Sequence, residues 1–186
     1  MAATPSTMMP LGTVAPSFEL PDTLSGKMFS LRSLQSGKAT MLMFICNHCP
    51  YVLHIMPELV RLAAEYQAKG VSFVAISSND VEKYPDDAPD KMRTKALEWG
   101  LTFPYLYDES QRVARAYDAA CTPDFFLFDA DLRCVYRGQF DDARPKNDVP
   151  VTGADLRRAL EALLAGKPVD PEQKPSIGCN IKWKDA

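Results

Sequence analysis

The 186-residue chain has no surplus of positive charge: 21 Lys and Arg stand against 24 Asp and Glu, a net charge of −3. With no basic face to neutralise a phosphate backbone and no run of like charges, nucleic acid is not an expected partner. Apolar runs stay far short of the ~20 residues that span a bilayer. Residues 1–12 lack a basic start and an apolar core segment, so neither a membrane nor an export route is expected, and the chain reads as cytoplasmic. Histidine is scarce, with only His48 and His54. An even set of cysteines is missing too: the five lie at 46, 49, 121, 134 and 179, so structural disulfides would leave one thiol over. That disfavours a stapled secreted scaffold. Cys46 and Cys49 alone are close in sequence, and in a reducing compartment such a pair is more often catalytic or metal-binding than structural.

What is present suffices for one domain over residues 1–186, with 46% apolar and 24% charged residues. Phe18–Leu20 and Met28–Leu31 flank a Pro/Asp/Ser/Gly stretch and predict an N-terminal β-hairpin. Ala39–Ile45 is a continuous run suited to a strand buried on both faces. Helical spacing follows from Pro50 to Lys69, stopped by Gly70 and interrupted by Pro57. Val71–Ile76 is a second, parallel strand after this crossover. Residues 79–89 read as a surface loop, followed by a helix over 91–99, a short strand over 103–107 and a helix over 109–117. A second hairpin, 125–128 with 134–137, turns at Asp129-Ala130-Asp131, and a last amphipathic helix covers 153–165. The tail, residues 167–186, is rich in Pro, Lys and Asp and is expected to pack loosely on a core of about residues 14–166.

This order places Cys46 at the end of the central strand and Cys49 at the start of the kinked helix. The helix N-terminus stabilises a thiolate, so Cys46 is expected to be the more acidic, attacking thiol and Cys49 the resolving one. His48, if protonated beside them, favours the Cys46 thiolate and the reduced state.

Phe44-Ile45-Cys46-Asn47-His48-Cys49-Pro50, followed later by Thr122-Pro123, resembles the thioredoxin superfamily. Within it, Ala15-Pro16-Ser17-Phe18-Glu19-Leu20 is similar to the opening of the AhpC/TSA and TlpA branches, and Met56-Pro57-Glu58-Leu59 to the TlpA-type helix. A peroxiredoxin-like group is resembled by the Cys46–Val52 motif, Cys121-Thr122-Pro123-Asp124-Phe125-Phe126, the 138–144 stretch and Pro175-Ser176-Ile177-Gly178-Cys179. The resemblance implies an α/β thioredoxin fold, a central mixed sheet flanked by helices, with a hairpin extension before it and a tail after it. It also implies a cis Pro123 facing the dithiol and Thr122 presenting backbone to a substrate, while the placement of His48 between the cysteines predicts a couple more oxidising than thioredoxin's.

The sequence also departs from these patterns. No tryptophan precedes Cys46, the central strand carries no acidic residue, and Pro57 falls later than in TlpA-type helices. Aligned on the peroxiredoxin pattern, Cys49-Pro50 takes the peroxidatic place, but Cys46 and Leu42 stand where threonine and proline are required. Arg137 is the one candidate for a thiolate-stabilising arginine, though a solvated strand position is the simpler reading. Cys121 reads equally as a third redox thiol or a small buried residue, Cys134 as core, and Cys179 as a resolving thiol folded back to the site or an idle one. His54 reads as a surface residue, and Asp141-Asp142-Ala143-Arg144 as a rim or a solvated loop.

Three activities fit. The first is a thiol-disulfide oxidoreductase acting through Cys46 and Cys49, supported by Asn47, His48, Thr122 and Pro123, on protein or small-molecule disulfides with a thiol electron donor. The second is a peroxiredoxin-like, antioxidant thiol peroxidase. The third is a soft-metal module holding Cu(I) with Cys46, Cys49 and a histidine. The leading reading requires no cofactor and no metal.

Overall fold

The computed structural model describes residues 3–185. A five-stranded mixed sheet forms its centre. All six residues of β4 (Ala39–Phe44) are buried, and alternate side chains point to opposite faces. Met41 and Met43 join a core shared with α2 (Pro50–Gln67), α3 (Pro89–Trp99) and α5 (Ala154–Leu164). Leu42 and Phe44 join the opposite core with Phe18, Leu31 and Tyr117, the last just beyond α4 (Arg112–Ala116). On one side β4 pairs in parallel with β5 (Val71–Ser77), which pairs in parallel with β6 (Tyr105–Tyr107). On the other it pairs antiparallel with β8 (Asp124–Asp129), which carries β9 (Cys134–Gly138) at the edge. The expected hairpin at Asp129-Ala130-Asp131 therefore lies in this sheet.

Helix α2 buries Val52, Ile55, Met56, Leu59, Leu62, Ala63 and Tyr66 along one stripe. Pro57 lies inside it, and Pro50 opens it at the first turn, where a missing N–H costs nothing. None of the helices among the described residues is long and apolar enough to cross a membrane.

Three expectations are corrected. The N-terminal hairpin is present as β2 (Glu19–Pro21) and β3 (Met28–Ser30), but Leu31 already begins a short helix, α1 (Leu31–Leu34). Ser30 and Ser33 cap it reciprocally, each accepting the other's amide at 3.1 Å. Residues 79–89 are not a plain surface loop, since Asn79, Asp80 and Asp87 are buried there. The tail is not loose: Ile177–Asn180 form β10, seated between β1 (Ala3–Pro5) and β7 (Cys121–Thr122). The register sets Cys179 opposite Thr122 on one side and Ala3 on the other. Beyond β10, Gln111 donates to the Lys182 carbonyl at 2.8 Å and Lys182 N donates to Asn79 at 2.9 Å, so the chain end is tied down by buried polar groups.

Candidate active site

The site forms where β4 ends and α2 begins. Between Phe44 and Pro50 the chain crosses the end of the sheet, and Asn47 anchors it. Asn47 donates from its backbone to Asp87 Oδ1 and from its side chain to the Asp86 carbonyl, both at 2.8 Å, and accepts from Tyr105 Oη at 3.0 Å. Asp87, fully buried, also accepts from Asn79 at 2.8 Å and pairs with His48 Nδ1 at 2.8 Å. The His48 ring lies parallel to Tyr84 with centroids 5.9 Å apart. Asp87 was not anticipated; only its tertiary position, far along the chain, brings it under the motif.

The sulfurs face the loop between β7 and β8, where the Thr122–Pro123 peptide bond is cis. Cys46 Sγ lies 3.5 Å from Thr122 Oγ1, and the Cys49 thiol donates to the Thr122 carbonyl at 3.1 Å. Cys179 Sγ is 3.0 Å from Cys49 Sγ. All three thiols are free and buried, with exposures of 1%, 0% and 3%.

Cys46 and Cys49 share a proton as a pair, and their surroundings favour the charge on Cys49, whereas the sequence predicts it on Cys46. A hydrogen bond from Cys46 pulls the Cys49 thiol down to about 5 against the cost of burial, helped by Cys179, Thr122 and the Val52 amide. Cys46 is driven well above the usual thiol range by its hydrogen bond with Cys49, by burial and by the charge of Asp87. The physical reason is where the helix starts. Cys49 is the residue that caps α2, at the positive end of the helix and near the Val52 amide, while Cys46 lies before the helix and nearer a carboxylate. Burial, then the hydrogen bond with Cys49, pushes Cys179 up to about 12. Asp87 raises the His48 pKa through their hydrogen bond, so the ring is held by a carboxylate.

The other candidates sort by position. Cys121 lies against the Pro123 and Ser176 carbonyls, and burial raises its thiol strongly. Cys134 belongs to the core away from the site, raised to about 11 by burial. Arg137 donates to the Met9 carbonyl and to Gln173, at 2.7 Å each, and is not solvated as expected. His54 is half-buried, with Nε2 lacking a partner among the described residues. Asp141 is buried and accepts the amides of Thr152 and Gly153 at 2.7 Å, which organises the start of α5, while Ala143 and Arg144 wall a narrow cleft with Tyr51 and Pro123. Donor atoms of Cys46, His48 and Asp87 lie within 4.8 Å of one another. Cys49 is not part of that group, and its Sγ contacts Cys179 at 3.0 Å.

Asp124, directly after Pro123, carries a separate consequence. Burial pushes its carboxyl up to about 7, and Oδ1 has no partner among the described residues. A pKa raised on folding contributes stability below the ordinary value, here 3.8, that is lost as pH rises through the folded value. Stability should therefore decline between pH 4 and 7. The Asp124→Asn variant is expected to flatten that decline and to exceed wild type at pH 8 by on the order of 2 kcal/mol, read by denaturant unfolding. Parallel pH profiles for the two proteins would contradict this.

A mixed sheet with a dithiol at the head of its first long helix, facing a cis proline, defines a thioredoxin-fold protein. The AhpC/TSA family model matches residues 11–137, and the chain belongs to that family. It is 30% identical over 166 residues to the thiol-disulfide oxidoreductase ResA of Geobacillus kaustophilus, covering 86% of this chain and 82% of that one. A solved structure of a conserved protein from the same organism superposes with TM-score 0.99 at 60% identity, covering 100% and 98% of the two chains. A hypothetical protein from Sinorhizobium meliloti superposes with TM-score 0.96 at 49% identity, covering 98% and 100%. The chain is an oxidoreductase of thiol–disulfide chemistry.

Proposed function

We propose that the chain exchanges disulfides through Cys46 and Cys49, with Cys49 as the attacking thiolate. The observation that carries this reading is the placement of the Cys46 and Cys49 sulfurs at the head of α2 against Thr122, and the Cys49 thiol there is pulled down to about 5. The Cys49 thiolate attacks one sulfur of a substrate disulfide, and the other sulfur leaves as a thiolate. Cys46 then loses its proton to the departing group and attacks Sγ of Cys49, closing the Cys46–Cys49 disulfide and releasing the second substrate thiol. A thiol donor restores the dithiol. Asn47 and the His48–Asp87 pair hold the loop, and Thr122 and Pro123 wall the sulfurs. Protein or small-molecule disulfides are the proposed substrates and the cytoplasm the proposed site of action. Holding a thiolate at Cys49 stabilises the reduced form, which supports a couple more oxidising than thioredoxin's.

Trapping tests the order of attack. With a mixed-disulfide probe, Cys46→Ser is expected to accumulate an adduct on Cys49, and Cys49→Ser to remain largely unmodified. An adduct on Cys46 in the second variant, formed as fast as in the first, would reverse the assignment.

The same low-pKa thiol, followed by Pro50, favours a second reading as a thiol peroxidase. Arg137 is engaged by the Met9 carbonyl and Gln173, which counts against it. Thiol loss in hydrogen peroxide decides between them. Oxidation no faster than that of a simple thiol removes the peroxidase reading, and oxidation faster by orders of magnitude displaces disulfides as the main substrate.

A further inference from the structure

The dithiol chemistry above leaves unused the thiol that touches Cys49 from the tail. We propose that Cys179 is a third exchanging thiol, a catalytic residue that takes Cys49 into a Cys49–Cys179 disulfide; this rests on Cys49 being redox-active.

Three independent observations support it. Cys179 Sγ is 3.0 Å from Cys49 Sγ, a non-bonded contact that needs a shift of about 1 Å to become a bond near 2.05 Å. The strand carrying it is held on both edges, with Cys179 paired to Ala3 and to Thr122, so the sulfur is placed by backbone ladders rather than by a wandering tail. Finally, β10 approaches the loop so closely that a Cβ on Gly178 would lie 1.9 Å from the Thr122 carbonyl oxygen and 2.6 Å from its carbon. Only glycine permits that approach. An extended segment has been fitted against the backbone that borders both reactive sulfurs, and its one thiol faces Cys49.

The exchange balances without an external oxidant. The Cys179 thiolate attacks Sγ of Cys49 in the Cys46–Cys49 disulfide, the Cys46–Cys49 bond breaks as the Cys49–Cys179 bond forms, and Cys46 leaves as a thiolate that takes up the proton given up by Cys179. No net electrons move. Burial weakens the acidity of Cys179, so its thiolate is scarce but strongly nucleophilic, which suits a resolving rather than an attacking role. In the reduced enzyme the same pair closes after Cys49 has opened a substrate disulfide, with Cys179 displacing the second substrate thiol.

The test uses the full chain with glutathione disulfide as probe, acid quenching and mapping of the disulfides. In Cys46→Ser, the expected product is an intramolecular Cys49–Cys179 disulfide with two glutathione thiols released per chain. Wild type should yield Cys46–Cys49 and Cys49–Cys179 linkages together. Adding Gly178→Ala to Cys46→Ser should cut the Cys49–Cys179 linkage at least tenfold, because the new methyl forces β10 off Thr122. Gly178→Ala alone should still form Cys46–Cys49, which also reports that this variant folds. Cys46→Ser arrested as a Cys49–glutathione adduct, with Cys179 still free, would overturn the proposal while wild type retained its Cys46–Cys49 disulfide. Failure of both wild type and Cys179→Ser to form Cys46–Cys49 would instead remove the dithiol reading, and this inference with it.

Discussion

Replacing Cys49 with serine is expected to slow reduction of a disulfide probe by roughly three orders of magnitude or more, the scale of loss when a nucleophile is removed. The residual reaction should also move on the pH axis. In wild type the reacting thiolate forms as pH passes through about 5, so the rate should be nearly level from pH 6 to 8. In the variant the surviving thiol is Cys46, still buried and still near Asp87, and both hold it protonated. Its rate should climb with pH throughout that range. A serine at position 49 also removes the sulfur that Cys46 and Cys179 share, so no protein disulfide should form at this site. The low pKa sets the shape of the profile more than its height. Relative to an ordinary thiol, Cys49 gains roughly 300-fold in thiolate fraction at pH 6, but loses about 40-fold in intrinsic nucleophilicity as its basicity falls. A net advantage near tenfold follows. A wild-type profile that climbs steeply up to pH 9, or a variant that keeps more than a tenth of the rate, would place the reacting thiolate on Cys46 instead.

The motif is more legible in the sequence than the sulfur that carries its charge. The apolar run of β4, the stripe of α2, the turn at Asp129-Ala130-Asp131 and the Cys46-Asn47-His48-Cys49 motif are local patterns, and local patterns survive tertiary context when they are long or strongly periodic. Which sulfur lies nearer the helix N-terminus depends on the residue at which α2 starts, and Pro50 carries that signal, since proline favours the first helical turn. β1, β7 and β10 had no such signal: each is four residues or fewer, and β10 exists because Thr122 offers a backbone edge and Gly178 has no Cβ to collide with it. Asp87 was hidden for a related reason. In a proline-containing polar stretch, a buried carboxylate looks like any solvated one until the fold sets His48, Asn47 and Asn79 around it.

That carboxylate should be among the most sensitive positions for stability. Asp87→Ala leaves the Asn47 amide and the Asn79 side chain without their acceptor and strands the His48 ring, all at a position with no solvent exposure. Breaking a buried pair by removing one partner typically costs 3–5 kcal/mol, so a loss of about 4 kcal/mol is expected in denaturant unfolding at pH 6. The sign of the pH dependence follows from His48. Asp87 raises its pKa above the ordinary 6.5, so the stability from this pairing is fully present below 6.5 and is lost as pH rises through the folded value. The gap between wild type and Asp87→Ala should therefore narrow toward pH 9 without closing, because the orphaned amides do not titrate. Asp87→Asn keeps an acceptor for the Asn47 amide but turns a second amide toward Asn79 and His48, and should lose roughly half as much. Both substitutions also lift the charge that holds Cys46 protonated, so the Cys46 thiol should titrate at lower pH than in wild type. A loss under 1 kcal/mol with an unmoved His48 titration would mean that the loop keeps its shape without Asp87. A large loss that leaves Cys46 unchanged would confine Asp87 to holding the fold, and would leave Cys49 as the main influence on its neighbour's proton.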